Sequence, residues 1–209
     1  MRARRRQSKP RLARQLRLIT VSSWGRDWHR GIVRCGWQTF PCAIGRRGVT
    51  HLKREGDGAT PAGRYRLLFL YYRPDRLPRP KAQIPMRAMR PDDGWCEDPE
   101  HGRYNSAVQV PSAAAHDAMW REDHLYDIVG VLDWNLRPRI RGRGSAIFLH
   151  LARPGYAPTA GCIALTLRHL ASLLAAAGAR AEFLVAHEPR KTEAAAAASA
   201  FLVERRRSS

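Results

Sequence analysis

The chain has 209 residues, of which 44% are hydrophobic, and a formal net charge of +19. This length and apolar content are typical of one globular domain and argue against a disordered chain. No segment approaches the roughly 18 uninterrupted apolar residues of a spanning helix, so we predict no transmembrane segment.

The positive charge is concentrated near the ends of the chain. Residues 1–17 hold eight basic residues and no acidic one. We predict a basic disordered arm at 1–14, a domain at 15–188 and an alanine- and arginine-rich tail at 189–209. Such an arm binds polyanions non-specifically, although a coding bias toward arginine explains the composition equally well. The start of the chain has the basic residues of a signal peptide, but the apolar segment after them is too short for one.

The apolar patterns predict a mainly β fold of the α+β class. Segments rich in alternating, β-branched or aromatic residues favour strands. Proline- and glycine-rich segments favour loops and irregular structure. Strands are predicted at 16–21, 31–34, 37–44, 65–72, 126–134, 145–151 and 181–186, a loop at 45–58, a turn at 60–63 and irregular structure at 73–110.

Two helices are predicted. The first covers 111–122, where Ser112 is a suitable N-cap before a run of alanines. The second covers 166–177, with Thr166 as N-cap, leucines on one face and Gly178 as the stop.

The four cysteines do not form a metal-binding pattern. No Cys-x-x-Cys or His-x-x-x-His spacing occurs, so we predict neither a metal nor a cofactor. Cys35 and Cys42 flank a predicted hairpin turn and are interpreted either as a disulfide pair or, preferably, as two buried free thiols. If Cys162 acts as a nucleophile, the three remaining cysteines cannot all pair.

The main candidate site combines His150 with Cys162, which follows it by twelve residues. His150 ends an apolar run, and Gly161 permits a tight bend immediately before the thiol. A cysteine beside an imidazole can become a nucleophilic thiolate at neutral pH. The alternative is a small buried cysteine next to a core histidine.

These residues resemble the active-site signature of the L,D-transpeptidases of the YkuD type, which remodel bacterial peptidoglycan. Thr159, Gly161, Cys162 and Ile163 match its Ser/Thr-x-Gly-Cys-apolar segment, and His150 matches its strand histidine. The run from Gly58 to Tyr65 and the Gly142-Arg143-Gly144-Ser145 segment extend the likeness. The resemblance implies a β-sandwich with one helix directly after the cysteine loop.

The resemblance also implies roles for individual residues. Cys162 would be the nucleophile and His150 the base, with Leu151, Thr159 and Gly161 as oxyanion or supporting groups. Ala160 stands where the family has a second histidine, Ala164 stands where many members have Arg or Asn, and the loop before Cys162 is shorter than usual, so the chain is interpreted as a divergent branch. The predicted substrate-binding residues are Arg153, Tyr104, Asn105 and Trp95.

The implied reaction is acyl transfer on peptidoglycan stem tetrapeptides in the cell envelope or periplasm. Cys162 would form a thioester and release D-Ala, and an amine would then complete a 3-3 crosslink. If water resolves the thioester, the enzyme is instead an L,D-carboxypeptidase. The competing hypotheses are a basic nucleic-acid-binding protein, for which no RNA- or DNA-binding signature occurs, and an inactive wall-binding module.

Overall fold

The computed structural model describes residues 16–24 and 27–186. The predicted arm at 1–14 and tail at 189–209 lie outside these residues, so the polyanion-binding hypothesis for the arm stays a prediction. The described part is mainly β, as predicted. Its elements are β1 (Leu16–Ser23), β2 (Arg30–Cys35), β3 (Gln38–Ala43), β4 (Val49–Thr50), β5 (Thr60–Pro61), β6 (Gly63–Tyr72), β7 (Met86–Ala88), β8 (Asp93–Cys96), β9 (Ser106–Gln109), β10 (His116–Ala118), β11 (Ile128–Leu132), β12 (Phe148–Leu151), β13 (Ile163–Leu165), α1 (Leu167–Ala176) and β14 (Ala177–Ala186).

Nine strands form one sheet in the order β11-β12-β13-β3-β2-β1-β14-β6-β7. Because β6 also pairs with β11, this sheet closes on itself into a barrel-like shape. A sandwich needs two separate sheets packed face to face, so the predicted β-sandwich is not confirmed. Two smaller sheets, β10-β8-β9 and β4-β5, accompany the large one.

The helix that follows the cysteine segment has the predicted cap and apolar face. The Thr166 side chain accepts a hydrogen bond from the His169 N–H, and Leu170, Leu173 and Leu174 are buried. Two details differ from the prediction. Strand β13 separates Cys162 from the helix, and the chain enters β14 at Ala177, so Gly178 lies in a strand.

The predicted helix at 111–122 is wrong. Ser112 Oγ accepts a hydrogen bond from the Ala114 N–H in a local turn, and His116–Ala118 forms strand β10. Strand β10 pairs antiparallel with β8, which places Asp117 opposite Trp95. Strand pairing therefore overrides the helix propensity of the alanines, and α1 is the single α-helix among the described residues.

The segment at 73–110, predicted as irregular, contributes strands β7, β8 and β9. Hydrogen-bonded ion pairs as well as buried apolar side chains hold this segment in place. The Arg87 guanidinium donates to both carboxylate oxygens of Asp93, at 2.8 and 2.6 Å. Strands β8 and β9 of the segment join β10 in the small sheet beside the candidate site, whereas β7 joins the large sheet.

The apolar interior has two clusters. The larger one fills the closed sheet and includes the buried leucines of α1. The smaller one lies under the β10-β8-β9 sheet and contains Trp95, Tyr126, Phe148 and Cys162. No described helix is long and apolar enough to cross a membrane.

All four cysteines are buried free thiols. In the β2–β3 hairpin, Cys35 lies opposite Gln38 and Cys42 lies opposite Gly31, so the two cysteines are not cross-strand partners. The free-thiol interpretation is confirmed, and the disulfide alternative is wrong.

Candidate active site

Cys162 lies immediately before β13, with its sulfur against the chain that leads into β12. Its side chain is buried, and the thiol donates a hydrogen bond to the Ala146 carbonyl at 3.1 Å. The Phe148 N–H donates to the sulfur at 3.4 Å. The sulfur is therefore held by two backbone groups that precede His150 in sequence.

His150 lies in β12, next to β13 in the sheet, where it pairs with Ala164. Its Nδ1 is 2.8 Å from the Leu151 carbonyl oxygen. A carbonyl only accepts hydrogen bonds, so Nδ1 carries the proton and Nε2 keeps its lone pair. The geometry thus assigns the tautomer in which Nε2 can accept a proton.

Burial keeps both groups neutral. It raises the pKa of Cys162 to about 12, with further contributions from the Asp117 and Glu97 carboxylates, and the Phe148 N–H opposes this rise. Burial lowers the pKa of His150 to about 4. The hydrogen bonds of the thiol within the described chain go to Ala146 and Phe148 rather than to His150. At rest, burial therefore favours the protonated thiol over the thiolate.

Cys162 and His150 open into one cleft of about 300 Å³. The other residues around it are carboxylates, guanidinium groups, an aromatic ring and the loop before the cysteine. They are Glu97, Asp117, Arg121, Leu125, Tyr126, Arg153, Ala157, Pro158, Thr159, Ala160 and Ala164. Among the described residues, no group of three or more His, Cys, Asp or Glu side chains could hold a metal ion.

Glu97 and Asp117 form an acidic wall of this cleft, which the sequence analysis did not predict. Pairing of β8 with β10 and a hydrogen bond from the Glu97 N–H to the Ala115 carbonyl (2.9 Å) bring Glu97 near Asp117. Burial, followed by repulsion from Asp117 and Glu55, raises the pKa of Glu97 to about 7. No sequence spacing indicates this proximity, because it depends on a strand where a helix was predicted.

Tyr126 connects the acidic wall to the histidine. Its hydroxyl donates to Asp117 at 2.5 Å, and its ring contacts the His150 ring edge-on with centroids 5.4 Å apart. Arg121 holds the adjoining turn through two hydrogen bonds to Asp123, at 3.0 and 2.7 Å. These contacts fix the orientation of the wall beside His150.

Thr159 ties together the loop that presents the thiol. Its hydroxyl donates to the Cys162 carbonyl at 2.7 Å and accepts from the Gly161 N–H at 3.2 Å. Its backbone pairs with residues next to Gly45, because the Thr159 N–H donates to Ile44 and its carbonyl accepts from Arg46. The Gly161 N–H, predicted as an oxyanion donor, is therefore occupied by Thr159 in the resting site.

We expect Gly161→Ala to destabilise the protein by about 2 kcal/mol. Gly161 has a φ of +146°, and a Cβ there would lie 2.8 Å from the Ala59 carbonyl oxygen. Urea unfolding measures the loss. Gly155→Ala is the matched control, because Gly155 also has a positive φ (+69°) but a Cβ there meets nothing within 4 Å. Equal losses in the two variants would show that the contact with Ala59 is unimportant.

Of the four predicted substrate-binding residues, one lines the cleft and three do not. Arg153 lines the cleft, with its guanidinium 3.6 Å from the Asp123 carboxylate. Trp95, Tyr104 and Asn105 are buried and do not line the cleft. The Trp95 ring contacts Phe148 edge-on, and the Tyr104 hydroxyl donates to the Glu55 carboxylate. Substrate contact by these three residues stays an untested prediction.

Comparison with known proteins identifies one family. The family model YkuD, described as the L,D-transpeptidase catalytic domain, matches residues 33–182. This segment contains both His150 and Cys162 and most of the described strands. A search of curated proteins found no match to the chain.

Proposed function

Because the chain belongs to the YkuD family of L,D-transpeptidase catalytic domains, we propose that it is a cysteine-dependent L,D-transpeptidase acting on peptidoglycan stem peptides. The observation that supports this most directly is the shared cleft, in which a buried thiol and a histidine with a free Nε2 lie together. We further propose that residues 15–188 form the catalytic domain and that the protein works in the cell envelope.

In the proposed acylation, the Cys162 sulfur attacks the carbonyl carbon of the L-configured third residue of the stem peptide. The thiol proton passes to His150 Nε2, so the thiol first leaves the Ala146 carbonyl that it contacts at rest. Collapse of the tetrahedral intermediate breaks the C–N bond to the terminal D-Ala. The imidazolium returns its proton to the departing amine, which leaves as D-Ala, and a thioester remains on Cys162.

In the second half-reaction an amine of a neighbouring stem peptide attacks the thioester carbonyl. His150 Nε2 takes the amine proton, the C–S bond breaks, and the cysteine regains a proton as the amide forms. Both tetrahedral intermediates need N–H donors for their oxyanion. We assign one of them to Gly161, whose N–H then exchanges the Thr159 hydroxyl for the substrate oxygen.

The neutral resting pair fits this reaction order. A thiol with a pKa of about 12 reacts only slowly with electrophiles from solvent at neutral pH, because the thiolate is the nucleophile. The proton therefore leaves only when substrate fills the cleft and the thiol turns to His150. Two cleft carboxylates, Glu97 and Asp117, oppose a thiolate before that step.

The proposal is tested by incubating the protein with a purified disaccharide tetrapeptide and recording its intact mass. We expect an adduct with the mass of the donor minus D-Ala. A control donor ending in L-Ala should give no adduct. A crosslinked dimer in the same tube identifies a transferase and a tripeptide identifies an L,D-carboxypeptidase, whereas the absence of adduct and of both products contradicts the proposed function.

A further inference from the structure

Asn105 is buried and every hydrogen-bonding group of its side-chain amide is used. Its Oδ1 accepts from Trp95 Nε1 at 3.0 Å and from the Ala146 N–H at 3.1 Å. Its Nδ2 donates to the carbonyls of Trp134 at 3.1 Å and Asn135 at 2.9 Å. Two donors at one end and two acceptors at the other allow a single amide orientation.

The Asn105 side chain reaches the candidate nucleophile through one residue. Ala146 has a φ of +50°, a conformation uncommon for residues other than glycine. Its N–H is bound by Asn105, and its carbonyl accepts the thiol proton of Cys162 at 3.1 Å. Hydrogen bonds therefore run without a break from the Trp95 indole through Asn105 and Ala146 to the sulfur.

We propose that Asn105 is a positioning residue for Cys162: by binding the Ala146 N–H, it holds the Ala146 carbonyl toward the thiol and thereby fixes the sulfur at the cleft. This inference rests on the proposed function only where it predicts a catalytic rate. Asn105 is outside the cleft lining and acts through Ala146.

The Ala146 carbonyl has a distinct effect on the thiol. A carbonyl that accepts the S–H bond favours the protonated cysteine, whereas the Phe148 N–H favours the thiolate. The charged groups that also act on the sulfur are Asp117 and Glu97, which oppose ionisation, and Lys53, which favours it. Of these influences, the Ala146 carbonyl is the one that Asn105 holds through a hydrogen bond.

The decisive variant is Asn105→Gly, because glycine keeps the positive φ of this position (+51°) while removing the amide. We expect the rate of thioester formation to fall about tenfold or more with KM nearly unchanged, since the sulfur loses its fixed position. We also expect the pH midpoint of Cys162 alkylation by iodoacetamide to move to lower pH. Peptide mass spectrometry follows alkylation at Cys162 separately from the other cysteines.

Asn135→Gly is the matched control. Asn135 also has a positive φ (+52°), and its side chain also makes several hydrogen bonds, to Ile140 and Gly144. Alkylation of buried Cys42 in each variant reports general loosening of the fold. An alkylation midpoint that stays at the wild-type value in Asn105→Gly, or that moves equally in Asn135→Gly, would overturn the proposal.

If Asn105→Gly does not fold, Trp95→Phe decides the question. Phenylalanine keeps a ring against Phe148 but removes the indole N–H that Asn105 accepts. Trp134→Phe is its control, because the Trp134 indole donates to Arg143 instead. A shift of the Cys162 alkylation midpoint in Trp95→Phe but not in Trp134→Phe supports the proposal. The same midpoint in both variants overturns it. Alkylation needs no substrate, so a shift without any thioester would support the positioning role while contradicting the proposed function.

Discussion

Replacing Cys162 by alanine is expected to abolish formation of the covalent adduct and to lower turnover by roughly 10⁴-fold or more, as for other enzymes that lose their nucleophile. The other hydroxyl and carboxyl groups around the cleft are poor substitutes. The Thr159 hydroxyl is bound to the Cys162 carbonyl, and the Tyr126 hydroxyl is bound to Asp117. Intact mass after incubation with the disaccharide tetrapeptide measures the adduct, and chromatography of the products measures turnover.

Cys42→Ala provides the control for this experiment. Cys42 is a second buried free thiol whose pKa is also raised to about 12 by burial, but it lies in β3 and does not line the cleft. We expect Cys42→Ala to form the adduct as the wild type does. An adduct that persists in Cys162→Ala, mapped by peptide sequencing to another side chain, would refute the assignment of the nucleophile.

The parts of the fold predicted from the sequence are those set by local patterns. The β2–β3 hairpin follows from two apolar runs around a tight turn, and α1 follows from the Thr166 cap and its spaced leucines. His150 and Cys162 lie close in sequence, on or next to the paired strands β12 and β13, so a short loop is enough to bring both to one cleft. The local sequence pattern was therefore sufficient to predict that His150 and Cys162 lie together.

The parts that were missed depend on contacts between distant segments. Asp117 reaches the cleft because β10 pairs with β8, a long-range interaction that overrides the alanine-rich helix signal around it. The protonation state of Cys162 depends on burial and on carboxylates from β10 and from the residue after β8, whereas the motif alone favours a thiolate. Asn105 was predicted to contact the substrate, which stays untested, and no local pattern indicated the four hydrogen bonds that bury its side-chain amide.

His150→Gln is expected to slow thioester formation by about 10²- to 10⁴-fold, because no base then receives the thiol proton. In the wild type, the acid side of the pH–rate profile should lie at unusually low pH. Burial lowers the pKa of His150 to about 4, so the imidazole stays a neutral base well below the usual histidine value of 6.5. Single-turnover rates should therefore stay high down to about pH 5 and fall as the pH drops through about 4. Glu97→Gln serves as a comparison, because an inflection near pH 7 that disappears in this variant belongs to the Glu97 carboxyl.

The same buried histidine should make stability depend on pH. The unfolded chain binds a proton at His150 near pH 6.5, whereas the folded protein binds it only near pH 4. The stability contributed by the neutral imidazole is thus complete above pH 6.5 and is lost as the pH falls to 4, a change of about 3 kcal/mol. Urea unfolding across this range should show the loss in wild type, with a correspondingly smaller loss in His150→Gln. Identical slopes in the two proteins would mean that folded His150 binds its proton near pH 6.5, as in the unfolded chain, which would contradict its burial.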